Sequence, residues 1–227
     1  MTDFKRFAIY YAPEAGALAD FGASWLGWDL AAGVPVAHPR IAGLDVAALT
    51  ATPRKYGLHG TVKPPFRLAE GTDFEALAAA AERLCAAQAS VILDGLELTR
   101  IGGFLALSVT GDCSALNALA ATMVRGLDGF RAPLSEVELA RRRKSRLNDR
   151  QDALLRQWGY PYVMDEYRFH ITLTGRLPKG GEEAIRARLE PLITPLLPSP
   201  FAISDLCLVG EDGNGMFHLI HRFALSG

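Results

Sequence analysis

Apolar positions along this chain fall into short extended runs separated by helical stripes. Phe7–Ala12 is a compact apolar and aromatic run stopped by Pro13, the pattern of a strand. Leu18, Phe21, Trp25 and Trp28 then recur at helical spacing and predict a helix whose aromatic stripe joins the core. Residues 33–53 are irregular apart from one expected turn of helix near Asp45–Thr50. A strand-like segment around His59 ends at Pro64-Pro65. Thr72 with Glu75 predicts a capping box for an alanine-rich helix reaching about Ala89. Two extended runs, Val91–Leu98 and Phe104–Thr110, flank a Gly-Gly turn, and Asp112 or Ser114 is placed to cap a helix running to about Gly126.

A second capping box, Ser135 with Glu138, opens what reads as the longest helix, closed by Gly159 after Trp158. Its expected apolar stripe is Val137, Ala140, Leu147, Leu154 and Trp158, with Lys144 and Gln151 standing on the same stripe. The basic run Arg141–Arg146 lies on this helix. It is either a solvated face or a source of one or two cations, Lys144 above all, that reach an anionic ligand. An extended segment (Phe169–Leu177), a helix (Glu182–Leu192) and two extended runs (Phe201–Val209, Met216–Phe223) complete the chain.

The second half thus repeats the order of the first: strand, loop, helix, hairpin. Val91 follows His59 by 32 residues, and Phe201 follows His170 by 31. Hairpins combined with separate helices indicate an α+β fold and not a doubly wound parallel sheet. The expected architecture is one bilobal domain over residues 1–227. Lobe one spans approximately 1–130 and lobe two approximately 131–227, each with an antiparallel sheet and flanking helices, around a shared cleft.

At 227 residues with 49% hydrophobic and 22% charged positions, a large core is possible without disulfides or metal. The net charge of −1 argues against duplex nucleic acid as partner, since that binding needs a basic surface. It leaves room for a small phosphorylated ligand held by a few local cations. Three dispersed cysteines form no C-x-x-C pair and read as buried small residues in a reducing compartment. No signal-peptide pattern and no run of 18 apolar residues is present, so a cytoplasmic protein without membrane contact is the default expectation.

Candidate chemistry sits at the start of each repeat. His59-Gly-Thr61-Val and His170-Ile-Thr172-Leu both read His-x-Thr-aliphatic within strand-like segments. Residues i and i+2 of a strand share a face, so each motif presents one imidazole and one hydroxyl together. Two such motifs in one cleft suit a phosphodiester: hydroxyls hold the non-bridging oxygens, one neutral histidine takes a proton, and the other gives one to the leaving oxygen. This chemistry requires neither metal nor cofactor, and spare ligands for a metal are lacking near either motif. Lys63 extends the first motif by two and is expected on the same face, as charge for a phosphoryl group. Tyr56 and Tyr167 each precede their histidine by three and serve either as ligand contacts or as core lids. A binding module that senses a phosphorylated metabolite without turnover is the competing reading.

These motifs resemble the two-histidine (2H) phosphoesterase superfamily, which includes RNA ligase-like proteins and cyclic nucleotide phosphodiesterases. More narrowly, Tyr56-Gly-Leu-His-Gly-Thr-Val-Lys-Pro-Pro-Phe66 and Tyr167-Arg-Phe-His-Ile-Thr-Leu-Thr-Gly175 resemble a branch associated with phosphonate-utilisation genes. The resemblance implies His59 and His170 as catalytic residues and Thr61 and Thr172 as phosphate-binding hydroxyls. It also implies action on cyclic or 2′–5′ phosphodiesters, with a cyclic ribose phosphate, a nucleotide or short RNA as candidate substrates.

Overall fold

The computed structural model describes residues 4–227. Strand β1 (Arg6–Tyr11) leads to helix α1 (Ala17–Leu26), a small ribbon of β2 (Trp28–Asp29) and β3 (Val34–Pro35), and a short α2 (Val46–Leu49). The first half continues with β4 (Gly60–Phe66), α3 (Phe74–Ala86), β5 (Val91–Leu93), β6 (Gly95–Ile101), β7 (Phe104–Thr110) and α4 (Ser114–Gly126). The second half comprises α5 (Glu136–Arg143), α6 (Asp149–Trp158), β8 (His170–Thr172), α7 (Glu182–Ile193), β9 (Phe201–Ile203), β10 (Asp205–Glu211) and β11 (Phe217–Ala224).

Seven strands form one antiparallel sheet in the order β11-β10-β1-β4-β8-β7-β6. The α+β class is as expected, with the two halves exchanging hairpins. Strands β1 and β4 of the first half continue into the β10–β11 hairpin of the second. Strand β8 of the second half continues into the β6–β7 hairpin of the first. The first extended run of each hairpin is also broken in two, at Asp94 and at Ser204. The leading pieces, β5 and β9, pair with each other outside the main sheet.

Alternation along the strands sorts the two faces. Phe7, Ile9, Val62, Leu107, Ile171 and Leu208 join Leu77, Leu116, Met123 and Leu189 of the helices in the main core. The opposite face carries a smaller cluster around Ala8, Tyr10, Cys207, Val209 and Phe217, and then the two His-x-Thr motifs. The α1 stripe is core as expected: Trp25 is fully buried and its Nε1 donates to the Leu173 carbonyl at 2.7 Å.

Two helix expectations are corrected. Asp73, not Thr72, caps α3 by accepting from Ala76 N, while Thr72 donates to the Ala69 carbonyl. The long helix after Ser135 is two helices. The Ser135–Glu138 box is present, but a second box, Asn148 with Gln151, starts α6 after a break at residues 144–148 in which Arg146 has φ of 53°. Gln151 stood on the apolar stripe because it caps a helix; it does not extend one. The break rephases the helix, leaving Val137 79% exposed and turning Leu139 and Arg142 inward.

The two motif strands meet at one register position, where Gly60 of β4 pairs with Ile171 of β8. A Cβ on Gly60 would lie 2.2 Å from Cζ of the buried Phe169 ring. Gly60→Ala therefore overpacks the seam and is expected to destabilise the protein by about 1–3 kcal/mol, read as a lowered midpoint in urea or thermal unfolding.

Candidate active site

The Gly60–Ile171 pairing determines the geometry of the site. In an antiparallel ladder this register sets His59 opposite Thr172 and Thr61 opposite His170, all four on the face away from the helices. The two histidines occupy one diagonal of a square and the two threonines the other, with diagonal Cβ separations of roughly 7–8 Å. A group at the centre of the square is within reach of two imidazoles and two hydroxyls.

Both rings are oriented alike. His59 Nδ1 lies 3.0 Å from the Gly57 carbonyl and His170 Nδ1 lies 2.9 Å from the Arg168 carbonyl, each two residues back along the chain. A carbonyl only accepts, so Nδ1 carries a proton in each ring and Nε2 is the nitrogen left free to accept. Thr61 Oγ1 lies 3.2 Å from His59 Nε2. Gly57 makes this possible with φ of 66°, passing against Leu30 where a Cβ would clash at 2.7 Å. Burial, with a smaller contribution from the neighbouring His170, pushes the His59 imidazole down to about 4. His59 is therefore neutral near pH 7 and holds a lone pair at Nε2.

The square opens into a cleft of about 510 Å³ bordered by Tyr10, Tyr56, Phe104, Arg142, Tyr160 and Arg176. Tyr10 stacks on His59 with centroids 4.0 Å apart, and Tyr56 lies 5.6 Å from the same ring. Arg6 also borders the cleft, but its guanidinium is spent on Glu211 at 2.5 and 2.6 Å. Arg142 stands 4.9 Å over the Tyr160 ring. Thr174, which also borders the cleft, is fixed by accepting from Leu105 N at 3.0 Å.

His59, Thr61, Thr172 and Tyr56 thus border the cleft, and His170 closes the square beside Thr61. Three other candidates lie elsewhere. Lys63 does not share the face of His59. The ladder slips by one residue, so that Tyr10 faces Thr61 while Ile9 faces Lys63, and the bulge turns Lys63 to the side of Ile9. Its side chain is 2% exposed, donates to the Val124 carbonyl at 3.1 Å and sits 4.0 Å from Asp128. Burial lowers this ammonium to about 8 even though Asp128 opposes the shift. Tyr167 gives its hydroxyl to the Thr61 carbonyl at 2.9 Å and acts as a brace beneath the motif. Lys144 caps the exposed end of α5.

From the basic run it is Arg142 that reaches the cleft, a choice only the helix break decides. Tyr10 was missed because it lies in an apolar strand. The available signal was its setting, Ala8-x-Tyr10-x-Ala12, with small residues flanking one phenol on the face opposite Phe7, Ile9 and Tyr11.

The chain has been compared with known proteins. It is 40% identical over 218 residues to a ribose 1,5-bisphosphate phosphokinase PhnN of Janthinobacterium sp. (strain Marseille), covering 92% of this chain and 48% of that protein. A protein of the same name from Laribacter hongkongensis (strain HLHK9) is 35% identical, over 76% of this chain and 40% of its own length. The chain thus spans less than half the length of these relatives. The crystal structure of E. coli LigT complexed with NADP+ aligns over 100% of both chains with 13% identity and a TM-score of 0.49. The family described as "Protein of unknown function (DUF1045)" matches residues 61–218, beginning within the first motif and containing the whole of the second, and the chain belongs to that family.

Proposed function

We propose that this chain is a phosphoesterase that opens a cyclic phosphodiester with water, using His59 as general base and His170 as general acid. The observation that carries this reading is the square of His59, Thr172, Thr61 and His170 around a single strand pairing, with both rings anchored at Nδ1. Neutral His59 takes a proton from the attacking water as the new P–O bond forms. The bond from phosphorus to one ester oxygen breaks, and protonated His170 supplies the proton that oxygen needs. Thr61 and Thr172 donate to the non-bridging oxygens as charge develops there. The product is a phosphomonoester with a free hydroxyl, and no step requires a metal.

The names of the curated relatives supply a substrate class. This chain has no G-x-x-x-x-G-K-[ST] phosphate loop, so we assign the phosphokinase chemistry to the part of those proteins that it does not cover. A cyclic ribose phosphate is the preferred substrate on this reading, because its hydrolysis yields a ribose phosphomonoester that a ribose phosphate kinase can accept. 2′,3′-Cyclic nucleotides present the same cyclic diester, and 2′–5′ linkages present a phosphodiester without the ring.

Hydrolysis of cyclic ribose phosphates and 2′,3′-cyclic nucleotides, followed by phosphorus NMR in excess EDTA, tests the proposal. Turnover is expected to be unaffected by EDTA and to fall by about 10²–10⁴ in His59→Ala or His170→Ala. Thr172→Val should cost roughly 10²-fold through loss of one donor to the developing charge. Equal rates in wild type and His59→Ala would remove the acid–base roles.

Burial of His59 also sets a pH dependence. The acid limb of kcat/KM is expected near 4, well below the ordinary histidine value of 6.5. Stability follows the same group. Below pH 6.5 the unfolded chain takes up a proton that folded His59 refuses, so the fold weakens as pH drops from 6.5 toward 4. His59→Gln should flatten that part of the unfolding profile, measured by urea titration at several pH values.

A further inference from the structure

Among the described residues, two buried side-chain polar atoms have no hydrogen-bond partner: Tyr10 Oη and Arg142 Nε. Both belong to residues bordering the same cleft. An unsatisfied buried polar group is costly, and more so when it is charged. Two of them on separate elements, β1 and α5, at the border of one cleft indicate a place for a ligand. Tyr10 is fully buried and stacked on His59, so its hydroxyl stands directly beside the reacting square. The phenols of Tyr10 and Tyr160 are raised by burial and remain protonated near neutrality. Arg142 makes no ion pair among the described residues, in contrast to Arg6, which is held by Glu211. The unsatisfied atoms are therefore both donors, and one carries a positive charge.

We infer that Tyr10 and Arg142 form a second anion subsite, which takes a terminal phosphomonoester on the same substrate whose cyclic phosphate lies between His59 and His170. The proposal rests on the phosphoesterase reading for the identity of the reacting group. Its spacing comes from the sheet. Tyr10 of β1 lies next to Thr61 of β4, and the reacting square straddles β4 and β8. Adjacent strands are about 4.8 Å apart, so the Tyr10 backbone lies one and a half strand spacings, roughly 7 Å, from the centre of the square. That is the span of one sugar unit. Tyr10 packs at its base into the cluster of Ala8, Leu30, Cys207 and Phe217, which backs this side of the site with apolar side chains. The substrate is thus a cyclic phosphate of a sugar already phosphorylated at its far end.

Calorimetric titration with ribose 5-phosphate and with ribose tests the subsite without turnover. Ribose 5-phosphate is expected to bind and ribose to bind at least about tenfold more weakly. Tyr10→Phe and Arg142→Met should each weaken ribose 5-phosphate binding about tenfold or more, while His170→Ala retains it. Tyr10→Phe removes a single oxygen and keeps the test informative if Arg142→Met does not fold. With cyclic ribose phosphates as substrates, the preference for the 5-phosphorylated form should collapse in both variants. Equal binding of ribose and ribose 5-phosphate would overturn the proposal. So would loss of ribose 5-phosphate binding in His170→Ala and Thr172→Val with none in Tyr10→Phe and Arg142→Met, because the phosphate would then sit in the square. Binding that depends on Tyr10 and Arg142 in a chain that hydrolyses no cyclic phosphate would support the subsite and remove the phosphoesterase reading instead.

Discussion

The pairing of Gly60 with Ile171 is the constraint on which the site depends. Strand β8 is three residues long and meets β4 at this one register position, and every relation between the two motifs follows from it. A one-residue slip would send one motif's imidazole and hydroxyl to the helix face. The seam is protected from slipping by what packs behind it. Phe169 fills the space a side chain on Gly60 would need, Tyr167 donates its hydroxyl to the Thr61 carbonyl, and Trp25 donates to the carbonyl of Leu173. These three aromatics lock the two central strands from beneath and leave the upper face to the polar residues.

Exchange of hairpins makes the site a property of the whole sheet. His59 stands on a strand bordered by β1 and reaches, through it, a hairpin of the second half. His170 stands on a strand bordered by a hairpin of the first half, with Ser108 as its direct neighbour. Both strands that flank β8 come from the first half, and β4 has β1 of its own half on one side and β8 on the other. The internal repeat therefore works as one folding unit with approximate two-fold symmetry about the β4–β8 seam. The surroundings of the two histidines differ: Tyr10 and Tyr56 crowd His59, and Phe104 approaches His170, with centroids 5.9 Å apart.

Local electrostatics, not net charge, shape the cleft. A chain of net charge −1 has no long-range pull on anions. Inside the cleft, however, burial keeps His59 and the Tyr10 and Tyr160 phenols uncharged, Glu211 neutralises Arg6, and Arg142 is left as a cation without an anionic partner among the described residues. Lys63, whose position in the motif suggests a phosphate contact, is withdrawn into the structure beside Val124 and Asp128. The cationic role passes to a residue 79 positions later in the chain.

The sequence alone determined the class of fold, the order of elements and the identity of the two motifs. These follow from local rules: strand alternation placed each histidine beside its threonine, and turn and cap residues such as Ser135, Glu138 and Gly159 bounded helices by their own hydrogen bonding. Three features depended on the tertiary structure. The bulge after Thr61 arose from pairing with β1, which no alternation within β4 reveals, and it moved Lys63 off the site. The division of the long helix followed from Asn148 and Gln151 capping a new start. That pattern was hidden because Gln151 also fits the stripe of a continuous helix, and the rephasing selected Arg142 over Lys144. The exchange of hairpins, which brings His59 against Thr172 and Tyr10 beside Thr61, is a long-range choice of partner strand. Short-range periodicity fixes which way a side chain points along its own element, and only the packing of distant segments decides what stands opposite it.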